Sequence, residues 1–227
     1  MRYAIYFAPA MDTALAAMGA EWLGRDALTG ERLQQPRVEG LSPDMVEAIT
    51  ADPRRYGFHA TLKAPFRLAD GRSETELLEA MADLARRHIR FDVHLKVARI
   101  DGFIALVPAK SAARLNEFAA ACVMALDPFR AALSPTDLEK RRRSGLTPRQ
   151  DQLLVEWGYP YVLEEFRFHM TLSERLSGEV ADRFETAAAE AFADVLAEPV
   201  SIDSLALFVE PAPGVPFQIR ATVPLSG

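Results

Sequence analysis

Along residues 2–8 the chain reads RYAIYFA, with Tyr3, Ile5 and Phe7 on one parity and Ala4, Tyr6 and Ala8 on the other. That alternation predicts a strand, and Pro9, which has no N–H for a ladder, ends it. A helix follows from about Asp12, whose carboxylate is placed to cap TALAAMGAEWLG. Residues 24–52 mix Gly, Pro and polar positions and read as a long connection with one short helix around 43–50. Residues 57–63 alternate again, and Pro65 ends their regular pairing. Ser73 and Glu76 stand three apart, as in a capping box, and open a helix through Leu77, Leu78, Met81, Leu84 and Ala85. FDVHLKVARI and FIALVPA then flank Asp101-Gly102, a pair that suits a two-residue hairpin turn.

The second half runs in a similar order. Residues 111–126 have one apolar face and predict a helix. Ser134 before Pro135 predicts the start of a short helix, and residues 148–157 predict another. FRFHMTLSE reads as a strand, residues 178–197 as a helix, and SIDSLALFVE with FQIRATVPL as a hairpin across PAPGVP. Both halves therefore give a strand carrying His and Thr, then a helix, then a hairpin, which is a duplication of pattern. The expectation is an α+β fold in one domain over 1–227. It would have two pseudo-symmetric lobes, about 1–110 and 111–227, each with an antiparallel sheet and flanking helices, around a central cleft. Strands are free to be exchanged between the lobes.

The two strands at the centre of this pattern share a pentapeptide: FHATL at 58–62 and FHMTL at 168–172. With a period of two, His59 and Thr61 lie on one face and Phe58, Ala60 and Leu62 on the other; His169 and Thr171 repeat the arrangement. The same parity adds Lys63 to the first polar face, and Arg167 and Ser173 to the second. Tyr6 and Arg167 are candidates to line the groove. His88 ends the segment ARRH and His94 sits on the polar parity of its strand, so both read as solvated surface residues.

Composition narrows the functions. The chain of 227 residues has 49% hydrophobic residues and a formal net charge of −6, which disfavours extended binding to a polyanion and leaves room for a small phosphate in a local pocket. The single cysteine, Cys122, lies in the apolar run FAAACVMAL and reads as a small buried helix residue. MRYAIYFAPAMD has no signal-peptide pattern, and no apolar run approaches a membrane span, so a cytoplasmic protein without membrane contact is expected.

Two imidazoles, two hydroxyls and nearby cations suit phosphodiester cleavage. A neutral His accepts a proton from the nucleophile while a protonated His donates one to the leaving oxygen, and Thr, Lys or Arg donors hold the oxygens where charge builds. Zinc is the other use of paired His, but a catalytic zinc generally takes three protein ligands, so no metal and no cofactor is expected. Lys140-Arg141-Arg142-Arg143, a basic run in a polar connection, reads either as a solvated face or as a flap that binds a second phosphate.

HATL and HMTL resemble the paired motifs of the 2H phosphoesterases. RYAIYFAP, WLGRD at 22–26, YGFHATLKAPF at 56–66 and WGYPYVLEEFRFHMTL at 157–172 look like the branch of that superfamily encoded among phosphonate-utilisation genes. The resemblance implies the bilobed, LigT-like α+β fold and metal-independent reaction at a phosphodiester, often a cyclic one. It implies His59, Thr61, His169 and Thr171 as catalytic residues and leaves Lys63, Tyr6, Arg167 and Ser173 as candidate substrate contacts. A ribosyl cyclic phosphate is the substrate class it suggests. The competing readings are a binding module for a phosphorylated ligand or RNA end, and an RNA-end ligase.

Overall fold

The computed structural model describes residues 1–227. Nine strands and eight α-helices alternate along the chain: β1 (Arg2–Phe7), α1 (Ala14–Leu23), α2 (Pro43–Ile49), α3 (Ala51–Tyr56), β2 (Ala60–Phe66), α4 (Glu74–Arg86), β3 (Phe91–Val93), β4 (Leu95–Ile100) and β5 (Phe103–Pro108) make up the first part. They are followed by α5 (Ala113–Leu126), α6 (Pro135–Arg142), α7 (Pro148–Trp157), β6 (Met170–Arg175), α8 (Gly178–Phe192), β7 (Val200–Ile202), β8 (Ser204–Glu210) and β9 (Gln218–Pro224).

Seven strands form one antiparallel sheet in the order β4-β5-β6-β2-β1-β8-β9, in place of a separate sheet for each half. The hairpin β4–β5 pairs with β6 from the second half, and β8–β9 pairs with β1 from the first. β2 and β6 meet at the centre through the single pair Ala60–Met170, so the two pentapeptides adjoin although 110 positions separate their histidines. Strands β3 and β7 make a second, two-stranded sheet.

Helices cover one face. α4, α5 and α8 pack on the sheet together with α1, burying Ile5, Phe7, Leu62, Leu106, Met170, Leu172, Leu205 and Leu207 in one apolar core. Phe58 fills the space left by Gly19, where a Cβ would stand 2.1 Å from its ring. Caps fix the helix starts as the sequence implies: Ser73 and Glu76 form both bonds of the capping box, and Ser134 caps α6 with Pro135 in its first turn. Asp101 and Gly102 take φ values of 47° and 89°, the left-handed pair of a tight hairpin. Cys122 is buried in α5 as expected.

Several expectations change. Thr13, rather than Asp12, caps α1. A further helix, α3, starts at the end of the long connection and stops at Gly57, with φ 82° and ψ 174°. A side chain at Gly57 would also meet the Ala27 Cβ at 2.6 Å. β2 continues through Pro65, because the pairing with β1 is bulged on both sides of Ile5–Lys63 and a bulge tolerates the missing N–H. The segment 91–100 divides at His94, whose side chain is exposed. His88 is not simply solvated: its Nδ1 lies 2.9 Å from the Leu84 carbonyl and its ring packs 5.2 Å from that of Phe118.

Candidate active site

His59 and His169 each stand at the entry of a central strand, immediately before Ala60 and Met170. Continuing the register outward from the Ala60–Met170 pair sets His59 opposite Thr171 and Thr61 opposite His169, all on the face away from the helices.

Backbone carbonyls orient both rings in the same way. His59 Nδ1 is 2.8 Å from Gly57 O, and His169 Nδ1 is 2.7 Å from Arg167 O. A carbonyl only accepts, so Nδ1 carries the proton in both rings and Nε2 is left as the reactive nitrogen. His59 Nε2 lies 3.3 Å from Thr61 Oγ1. The fixed backbone of Gly57 therefore places the first imidazole, a role for this glycine that follows from its conformation.

The surroundings disfavour the charged form of both rings. Burial lowers the pKa of His59 to about 4, with the Gly57 bond acting in the opposite direction and the neighbouring His169 adding to the decrease. Tyr6 stacks on the ring of His59, and Tyr56 and Phe208 stand near it. Burial lowers His169 as well, while the Arg167 carbonyl and the Asp101 carboxylate act to raise it.

A cavity of about 420 Å³ has Thr61 and His169 in its wall, while His59 and Thr171 do not line it. Arg167 and Arg175 line it too, with Phe103, Gln150, Tyr159 and Tyr161. Arg167 reaches Asp101 only at 3.8 Å, and both side chains are exposed; Glu165 takes a hydrogen bond from Gln150 instead. Arg175 donates to the Asp101 carbonyl at 2.6 Å. Arg175 is absent from the candidates read off the sequence, although its parity in FHMTLSER is the same as that of His169 and would have pointed to it.

Two expected contacts are not on this face. Lys63 pairs with Ile5, whereas Thr61 pairs with Tyr6, so β2 has an extra residue there and Lys63 turns toward the helices. Its ammonium is 2.9 Å from Asp127 and 3.2 Å from the Val123 carbonyl, at the end of α5, and the side chain is 3% exposed. Ser173 lies where β6 bulges between Thr171 and Arg175. It is buried, donates to Glu174 O at 2.7 Å and accepts from the Ile104 N–H at 2.9 Å, replacing a ladder bond. Tyr6 is on the histidine face but is 1% exposed, as a packing partner of His59.

No group of three or more His, Cys, Asp or Glu side chains is gathered around a shared point where a metal ion would bind. No helix is long and apolar enough to cross a membrane.

The chain belongs to the family described as "Protein of unknown function (DUF1045)", whose model matches residues 61–218, a span holding Thr61, His169 and Thr171. Two curated relatives carry the name ribose 1,5-bisphosphate phosphokinase PhnN. That of Janthinobacterium sp. (strain Marseille) is 42% identical over 232 residues, covering 100% of this chain and 51% of the relative. That of Laribacter hongkongensis (strain HLHK9) is 39% identical over 219 residues, covering 96% of this chain and 50% of the relative. The chain thus spans about half the length of the curated relatives it matches. A solved structure described as a phosphoesterase aligns over 100% of this chain and 99% of its own, at 12% identity and a TM-score of 0.39.

Proposed function

We propose that this chain hydrolyses a small cyclic phosphodiester by acid-base catalysis between His59 and His169, without a metal ion, in the manner of the 2H phosphoesterases. One observation carries this reading. Two imidazoles, each just before one of two adjoining strands, are both held by Nδ1 to a backbone carbonyl, which leaves both Nε2 atoms free to react, that of His59 3.3 Å from the Thr61 hydroxyl.

The environments support one division of roles. His59, with a pKa of about 4, is neutral near pH 7 and is the base. His169 is the acid: the bound diester anion raises its pKa, and Asp101 acts in the same direction. The oxygen of a water molecule bonds to phosphorus as His59 Nε2 takes its proton. The ester bond on the far side breaks, and the proton on His169 Nε2 passes to the departing alkoxide. One water is consumed, and a proton returns from His59 to His169 through solvent. Thr61, Thr171, Arg167 and Arg175 supply donors for the non-bridging oxygens, where charge accumulates in the transition state.

In this reading residues of about 1–110 and 111–227 act as two lobes that exchange hairpins, and the diester sits at their seam. A ribosyl cyclic phosphate fits the name of the curated relatives, which refers to a ribose with two phosphates. Opening a 1,2-cyclic phosphate on a ribose 5-phosphate at the 2-oxygen leaves such a bisphosphate. The test is turnover of a panel of ribosyl and nucleoside cyclic phosphates after exhaustive chelation. Conversion to a monoester at an unchanged rate is expected; loss on chelation with recovery on adding zinc or manganese would overturn the mechanism.

A further inference from the structure

Beside the histidine cavity lies a second one, of about 440 Å³, and its wall is strongly cationic: Arg2, Lys63, Arg67, Arg130, Lys140 and Arg141 line it, with Asp137 the one acid among the lining residues. The chain as a whole carries a net charge of −6, so this concentration of positive charge is local. The two cavities share Ala64, Tyr159, Tyr161 and Val162 as a common wall.

Ion pairs account for four of the six cations. Lys63 and Arg130 share Asp127, Arg67 pairs with Asp137, and Arg2 with Glu210. Lys140 and Arg141 have no carboxylate partner. They belong to the last turn of α6, where the sequence suggests a basic run in a polar connection, and the helix end separates the run into parts. Arg142 turns away to Asp151, and Arg143 does not line the cavity. Arg141 is held instead by its position 5.2 Å over the ring of Tyr159, on the wall between the cavities. Stacking orients a guanidinium while its N–H edge stays available, the arrangement suited to a phosphate.

We infer that this second cavity binds a phosphate monoester at the end of the substrate remote from the reacting diester, with Arg141 and Lys140 as its principal contacts. The substrate class becomes a compound with two phosphates, one cyclic and one terminal, spanning the Tyr159 partition. This inference rests on the proposed function for the identity of the reacting end, but the subsite stands on its own residues.

Two measurements test it separately from the catalytic reading. The first is calorimetric binding of ribose 5-phosphate, which has no cyclic ester. Wild-type protein and the His59→Ala, His169→Ala variant should bind alike, and Arg143→Gln should be unchanged. Arg141→Gln and Lys140→Gln should each weaken binding roughly tenfold to a hundredfold, with the residual affinity less dependent on salt. The second is kcat/KM for a ribose 1,2-cyclic phosphate with and without a 5-phosphate: Arg141→Gln should lower the first by a similar factor and leave the second unaltered. If Arg141→Gln binds ribose 5-phosphate as wild type does, or lowers both substrates equally, the subsite is wrong. If binding behaves as expected and no cyclic phosphate is turned over, the subsite holds and the catalytic reading fails.

Discussion

The ring of Tyr6 lies on that of His59, with centroids 3.8 Å apart and planes 23° from parallel. Tyr6 is buried on β1, and its hydroxyl is itself pushed to a raised pKa by burial, so the stack is a dry neighbour for the imidazole. Removing the ring in Tyr6→Ala admits water, and the His59 pKa should rise from about 4 toward the ordinary value near 6.5. An NMR titration of the His59 ring protons checks this. An unchanged titration would mean that Tyr6 has no part in holding His59 neutral.

The same shift links pH to stability. His59 titrates at about 4 when folded and near 6.5 when unfolded, so between these values the unfolded chain binds more protons and stability falls as pH falls. Between pH 7 and 4.5 the contribution is about 2 kcal/mol. Urea denaturation at the two pH values should show wild type losing more stability than His59→Asn by roughly that amount; equal losses would contradict the assignment.

Burial against Asp127 makes Lys63 a structural residue. Asp127 holds both Lys63 and Arg130, and losing the carboxylate leaves two partly buried cations without it. Asp127→Ala should cost about 3–5 kcal/mol of stability, the range for breaking a buried pair. Lys63→Met leaves the Asp127–Arg130 pair in place and should keep kcat within a few-fold of wild type. A stable Lys63→Met protein with turnover reduced a hundredfold or more would return Lys63 to the catalytic face.

The two hydroxyls should matter less than the imidazoles. Thr61→Val and Thr171→Val each remove one bond to a charged oxygen, worth about 1.5–3 kcal/mol, or roughly tenfold to a hundredfold in kcat if it forms fully in the transition state. Rate measurements on a confirmed substrate decide this, and a fully active double variant would make the hydroxyls structural.

These residues also show what the chain makes legible. His59 with Thr61, and His169 with Thr171, could be placed on one face because two-residue parity is a local property of a strand. Lys63 and Ser173 follow the same parity in sequence and leave that face in the structure, because bulges arise from the register with β1 and β5, which no local pattern encodes. Helix starts at Ser73 and Ser134 are legible for the opposite reason, since each cap is formed within a few residues. The sheet order is not, because β4–β5 and β8–β9 find their partners across the chain. The significance of Arg141 is hidden likewise: a run of four bases looks uniform until α6 directs two of them toward the cavity walled by Tyr159 and one toward Asp151.

The most direct test of the acid-base pair is the turnover of His59→Ala and His169→Ala on a cyclic phosphate that the wild-type protein opens. Neither imidazole belongs to the apolar core, in which Phe58, Leu62, Phe168 and Leu172 anchor the strands, so both variants should fold. Each should lose roughly 10²–10⁴ in kcat. The wild-type rate should be bell-shaped in pH, with two apparent values that belong to the coupled pair, and each single replacement should remove one limb. Near-wild-type turnover in both variants would contradict the acid-base pair and leave the repeated pentapeptide as a binding or structural feature.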